Sequence, residues 1–181
     1  MLAALKKSKK MLGAFVAVAA VVVGVGAGSV YALVTNSTGT FSDRQYFATN
    51  DVAYNVPAAT PSGVWVNVPG MVRTVTVPSG TSRLLDARFT AESNCTGGSW
   101  CSVRIVVINS AGATTELYPQ SGLDFAFDSP GADLWEGHAI ERNTRSFLPA
   151  GTYRVQVQAA KIGNPNFRLD DMHLVVEAVR P

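Results

Sequence analysis

The stretch that decides the fold is Gly151-Thr152-Tyr153-Arg154-Val155-Gln156-Val157-Gln158-Ala159. Tyr153, Val155, Val157 and Ala159 alternate with Arg154, Gln156 and Gln158. Successive side chains of a strand point to opposite faces, so the run predicts a strand with one buried and one wet face, as in an antiparallel sheet. Pro149-Ala150-Gly151 reads as the turn leading into it.

Working outward, the same period recurs. Leu85, Ala87, Phe89 and Ala91 alternate with Asp86, Arg88, Thr90 and Glu92, and Cys101–Ile108 alternates before becoming continuously apolar. Shorter strands are expected at Gly63–Val68 (Trp65 inside), Val72–Val77, Thr114–Leu117, Leu123–Phe127, His138–Arg142 and Arg145–Leu148. In the last strand, Phe167–Val179, Phe167 and Leu169 share one parity and Met172, Leu174, Val176 and Ala178 the other. A β-bulge at Asp170-Asp171 restores a common face. Short strands punctuated by Pro and Gly turns, with no helical periodicity beyond residue 45, indicate an all-β chain: an antiparallel β-sandwich of jelly-roll type.

Upstream of this domain (46–181) the chain changes character. Lys6, Lys7, Lys9 and Lys10 precede an uncharged apolar stretch, Met11–Val34. Residues 1–34 therefore read as an export leader: either a cleaved signal peptide, or a signal-anchor helix holding the membrane through residues 11–34. Residues 35–45 are small and polar, and read as a linker. Both fates of the leader place the domain outside the cytoplasm, at the cell surface or in the medium.

Charge supports that division. Four of the 15 basic residues belong to the leader, leaving 11 basic against 13 acidic side chains, a net charge of −2. Binding a polyphosphate needs clustered cations, so nucleic acid is not an expected partner. The two cysteines, Cys95 and Cys101, are separated by five residues that include Gly97 and Gly98. Outside the cytoplasm such a pair is expected to form a disulfide tightening two successive strands.

Candidates for chemistry are few. Asp124, Asp128, Asp133 and Glu136 lie close in sequence and are the oxygen donors a calcium ion would use, but they match no EF-hand spacing; acidic residues are also ordinary on a solvated loop. Paired carboxylates for a secreted hydrolase are Asp170 with Asp171, or Glu92 with Glu136. The adjacent aspartates more naturally serve the bulge, accepting stray backbone N–H groups. His138 or His173 with Asp86 or Asp171 completes a triad only on paper, because no serine sits in a nucleophile elbow. No catalytic residue, metal or cofactor is assigned. Trp65, Trp100, Tyr118 and Trp135 can stack on sugar rings if exposed, and otherwise pack the core or the disulfide. Asn36-Ser37-Thr38 and Asn94-Cys95-Thr96 fit the glycosylation pattern.

Arg88-Phe89-Thr90-Ala91-Glu92-Ser93, the Cys95/Trp100-Cys101 pair followed by Arg104, Pro149–Tyr153 and Asp170-Asp171-Met172-His173-Leu174 resemble small secreted β-sandwich proteins of unassigned function from high-GC Gram-positive bacteria. That resemblance brings no activity with it. Gly151-Thr152-Tyr153, opening a long late strand, resembles the C1q/TNF-like jelly rolls, which would imply trimers and ligand binding at strand edges. The expected function is an exported, non-catalytic binding or structural module with an unknown ligand, carbohydrate or protein. A carbohydrate-binding module and a secreted hydrolase are the alternatives.

Overall fold

The computed structural model describes residues 42–181. The leader and residues 35–41 of the linker stretch lie outside the described residues. Eight strands follow: β1 (Ser42–Asn50), β2 (Tyr54–Asn55), β3 (Val66–Thr96), β4 (Trp100–Ile108), β5 (Thr114–Glu116), β6 (Glu136–Asn143), β7 (Leu148–Ile162) and β8 (Asn166–Val179), with no helix among the described residues.

β3 belongs to both sheets. Between Val66 and Arg83 it pairs with β7; from Leu84 to Thr96 it pairs with β8, and from Asp86 to Ser93 with β6. One sheet is thus β1–β8–β3–β6 and the other β3–β7–β4–β5, every pairing antiparallel. Counting β3 as two staves and setting β2 aside, the sheets read 1-8-3-6 and 2-7-4-5 in chain order. That is the order a long hairpin adopts when rolled up, a jelly roll.

Alternation builds the core between the sheets. Leu85, Ala87, Phe89 and Ala91 of β3 and Leu174, Val176 and Ala178 of β8 are buried on one side, facing Val103 and Ile105 of β4 and Val155, Val157 and Ala159 of β7. Phe89 is wholly buried; removing such a ring costs ~3–5 kcal/mol in transfer and cavity terms. The bulge forms as expected. Thr90 pairs with His173 and Glu92 with Asp170, so Ala91 faces two residues; Asp171 takes φ 45° and its N–H donates to Asp170 Oδ1 at 3.0 Å. Phe167, Leu169, Met172 and Leu174 consequently all point inward.

Several local expectations need correction. Leu123–Phe127 is a turn and irregular segment, because its backbone caps the edge of β4 and lacks a partner strand. Residues 145–147 form the bend before β7, with Arg145 at φ 50°. Pro149–Gly151 is already strand: Pro149 pairs with Ser82 and Gly151 with Val77. β1 starts at Ser42, inside the stretch read as linker; it is an edge strand whose mixed composition lacks clear alternation. Trp65 is half-buried on the outer side of the second sheet, covered by Arg104, whose Cζ lies 4.4 Å from the ring centroid.

The Cys95–Cys101 disulfide forms, with Cα atoms 6.0 Å apart. Its two cysteines follow each other in the chain but do not pair. Cys95 is opposite Phe167 in the first sheet and Cys101 opposite Lys161 in the second. The bridge therefore fastens one sheet to the other at one end of the sandwich.

Candidate binding site at the acidic loop

After β5 the chain crosses that same end and returns to β6 through the acidic loop. Cys101 O accepts the N–H groups of Phe127 and Asp128 at 2.9 and 3.1 Å, and Cys101 N donates to Asp128 O at 2.9 Å. The last turn of β3 holds the rest. Alternation sends Ser93 inward and Asn94 outward. Ser93 Oγ donates to Asp128 Oδ2 at 2.7 Å, while Asn94 Nδ2 donates to Asp133 Oδ1 at 2.8 Å and to Leu134 O at 2.9 Å. Two adjacent polar side chains thus clamp the loop from both faces of the sheet.

On the outer side lies a cleft of about 330 Å³, lined by Asn55, Asn94, Thr96, Asp133, Asn166 and Arg168 among others. Arg168 sits opposite both Asn55 of β2 and Asn94 of β3, so the three strands converge on it. Its guanidinium carbon lies 4.6 Å from the Trp135 ring centroid, within cation–π range. Trp135 keeps 37% of its surface in solvent and Leu134 63%. The result is an amide- and charge-lined cleft beside an accessible indole. Asn94 itself is 2% exposed with its amide nitrogen committed twice, so the sequon there is a structural asparagine. Asn36 lies outside the described residues.

On the inner side, Ser93 Oγ also lies 2.8 Å from His138 Nδ1, and His138 Nε2 lies 3.7 Å from Glu136 Oε2. The His138 ring meets Phe127 edge-on at 5.4 Å. Serine, aspartate and histidine have come together, but with serine in the middle and fully buried. In a nucleophilic triad histidine stands between the other two. Here the hydroxyl proton goes to Asp128, so the oxygen is not activated by the imidazole.

The remaining sequence candidates are scattered. Trp100 Nε1 donates to Leu123 O at 3.0 Å on the second sheet, and Tyr118 lies under Arg145 at 5.2 Å. Neither they nor Trp65 line the cleft beside Trp135. Asp124 is exposed in a turn, Asp133 holds Asn94, and only Asp128 and Glu136 of the four acidic-loop candidates converge, with His138 as a third member. Glu92 pairs with Gly137 and Ser93 with Glu136, which puts Glu92 and Glu136 on opposite faces. Asp170 and Asp171 serve the bulge. His173 stacks on Phe47 at 6.1 Å, far in sequence and role from any serine nucleophile.

A carboxylate group not expected from the sequence sits on the outer face of the first sheet. Asp86 is opposite Glu177 and Asn143, with Glu141 one row away, around a cavity of about 150 Å³ that Arg88 also lines. Partial burial first, then the charges of Glu141 and Glu177, push the Asp86 carboxyl up to about 6. Its Oδ1 is buried without a hydrogen-bond partner. Only strand register brings these three together, whereas Ser93 did leave a signal: a polar residue on the inward parity of Leu85, Ala87, Phe89 and Ala91.

No protein-family signature matches the chain, and no curated protein matches it. Solved structures resemble it distantly. Infectious bursal disease virus, Gt strain, is 17% identical with a TM-score of 0.42, over 75% of this chain and 33% of the viral one. Eiger TNF from S. frugiperda is 12% identical with a TM-score of 0.43, over 74% of this chain and 92% of its own. The chain spans about a third of the viral chain it matches. The jelly-roll assignment rests on the strand order within this chain.

Proposed function

We propose that the chain is exported and that its jelly roll is a non-catalytic binding module, taking a polar extracellular ligand in the cleft between β2, β3, β8 and the acidic loop. The observation that carries this reading is the convergence of Arg168, Asp133 and the side-chain amides of Asn55 and Asn166 beside the accessible Trp135 ring. Concave sites with a few convergent polar groups are where ligands bind, and Trp135 stands beside this one, against Arg168. Ser93, held between Asp128 and His138 with its proton given away, supports the non-catalytic side of the reading.

A carbohydrate is the ligand class the cleft favours, because an indole face combined with amides and a guanidinium suits hydroxyl-rich rings. The test is a glycan microarray probed with the labelled chain, alongside a peptide array. Binding to glycans that falls at least tenfold in Trp135→Ala and Arg168→Ala supports the sugar reading; peptide binding lost in the same variants leaves the cleft but changes the ligand. Binding unaffected by both variants refutes the cleft. Turnover in a glycoside and ester screen that vanishes in Asp86→Asn would replace the module with a hydrolase. Intact-mass measurement of material recovered from the medium and the membrane fraction tests export and the fate of the leader, and light scattering tests assembly into a homo-oligomer such as a trimer.

A further inference from the structure

On the inner side of the acidic loop, Ser93 links Asp128 to His138, and His138 in turn faces Glu136. The Ser93 hydroxyl has one proton, and it is donated to Asp128 Oδ2 at 2.7 Å. A carboxylate can only accept, so at 2.8 Å from His138 Nδ1 the serine oxygen must receive the Nδ1 proton. A neutral imidazole then has its lone pair on Nε2. That atom faces Glu136 Oε2 at 3.7 Å, one acceptor opposite another. Asp128, 7% exposed, forms no ion pair with Lys or Arg among the described residues. One ligand atom each from Asp128, Glu136 and His138 lies within 4.8 Å of the others. An imidazole lone pair opposite one carboxylate, with a second carboxylate within reach, is a donor set suited to a cation.

We propose that Asp128, Glu136 and His138 bind a first-row divalent metal ion, zinc in the first instance, with Ser93 as the residue that orients His138. Zinc takes imidazole nitrogen and carboxylate oxygen at ~2.0–2.2 Å, which places tetrahedral donors about 3.3–3.6 Å apart. The His138–Glu136 separation is already close to that, and the Glu136 side chain, 66% exposed, can swing to close the rest. Asp128 is fixed by Ser93 and by the backbone pairing of its residue with Cys101. A ligating histidine characteristically gives its other ring N–H to a second residue that sets its orientation, and Ser93 accepts it here. Calcium fits less well, since it takes six to eight oxygens and only two of the carboxylates converge. Three protein donors leave a fourth position for water. This inference is independent of the outer cleft, although both walls belong to the same loop.

The test is isothermal titration of the full chain, purified without a histidine tag, with zinc chloride and separately with calcium chloride at pH 7.5, paired with thermal melts. One zinc per chain and a raised melting temperature are expected. Glu136→Gln, at an exposed position that leaves the fold intact, should weaken zinc binding at least tenfold, and His138→Ala should abolish it. Ser93→Ala, which touches no metal, should weaken it about 10–100-fold, while His173→Ala should leave it unchanged. No zinc binding up to about 1 mM by the folded chain overturns the site. So does binding that survives both Glu136→Gln and His138→Ala, or binding of calcium in preference to zinc.

Discussion

Cys95 and Cys101 are six residues apart in the chain, yet each is hydrogen-bonded into a different sheet. Their bond spans the end of the sandwich at the point where the acidic loop crosses, and Gly131 N reaches Cys95 O there at 3.4 Å. Closing so short a ring is worth about 2.4 kcal/mol of unfolded-state entropy. Reduction, or Cys95→Ala with Cys101→Ala, should lower stability in urea by about 2 kcal/mol. Hydrogen exchange should rise first at Cys95, Asp128 and Gly131. A loss well above 4 kcal/mol would show that the bridge organises the core instead of bracing one end.

Asp86 makes stability fall as pH rises. Its carboxyl is pushed up to about 6 in the folded chain from the ordinary aspartate value of 3.8, with burial the leading cause and Glu141 and Glu177 following. The folded state therefore holds the proton more tightly. Its contribution is fully present below about pH 4 and is lost as pH climbs through 6. The full shift would be worth ~3 kcal/mol, but the side chain is only partly buried, and solvent screening reduces this to about 1 kcal/mol. Asp86→Asn should raise stability by about that amount at pH 7 and change it little at pH 4. Equal effects at both pH values would contradict the assignment.

The bulge gives a cheap test of what the adjacent aspartates do. Asp171 occupies the left-handed region at φ 45°, where a β-branched side chain pays ~1–2 kcal/mol. Asp171→Val should cost that much in thermal or urea unfolding, whereas Asp171→Gly should be neutral or slightly stabilising. Asp170→Ala removes the acceptor of the Asp171 N–H and should cost about 1 kcal/mol. If Asp171→Gly is as harmful as Asp171→Val, the position is held for another reason.

Lys161 is 3% exposed, and its ammonium donates to Pro57 O and Ala58 O, both at 3.1 Å. Its own carbonyl accepts Gly63 N–H at 2.8 Å. This residue pins the segment between β2 and β3 to the end of β7. Lys161→Met keeps most of the apolar stem and strands two carbonyls, at a cost of about 1–3 kcal/mol. Limited proteolysis should then cut between residues 57 and 64 before anywhere else in the domain. Unchanged protection of that segment would refute the pin.

The large features of this fold were legible because they follow from period two. The buried faces of β7 and β8, the parity change at Asp170-Asp171 and the disulfide could all be read from spacing. What stayed hidden depends on register and on chain-distant neighbours. Nothing near Asp86 announces Glu141 or Glu177, which reach it only through strands β6 and β8. Trp65 reads as core because it lies inside the alternating stretch Gly63–Val68, but Arg104 from β4 covers it on the outside. The acidic loop was visible as a cluster, while its sorting was not: Ser93 takes Asp128 inward and Asn94 takes Asp133 outward. Arg168 and Asn55 carry no signal in the sequence, since a lone arginine and a lone asparagine gain meaning only when β2, β3 and β8 are aligned.

β3 runs without a break from Val66 to Thr96, serving the second sheet before Arg83 and the first after Leu84. A tensile load applied at the exposed end of the domain would therefore pass along one continuous covalent strand from sheet to sheet. Peeling either sheet means unzipping part of the same strand that anchors the other. The two sheets are therefore expected to give way together under force and not one after the other.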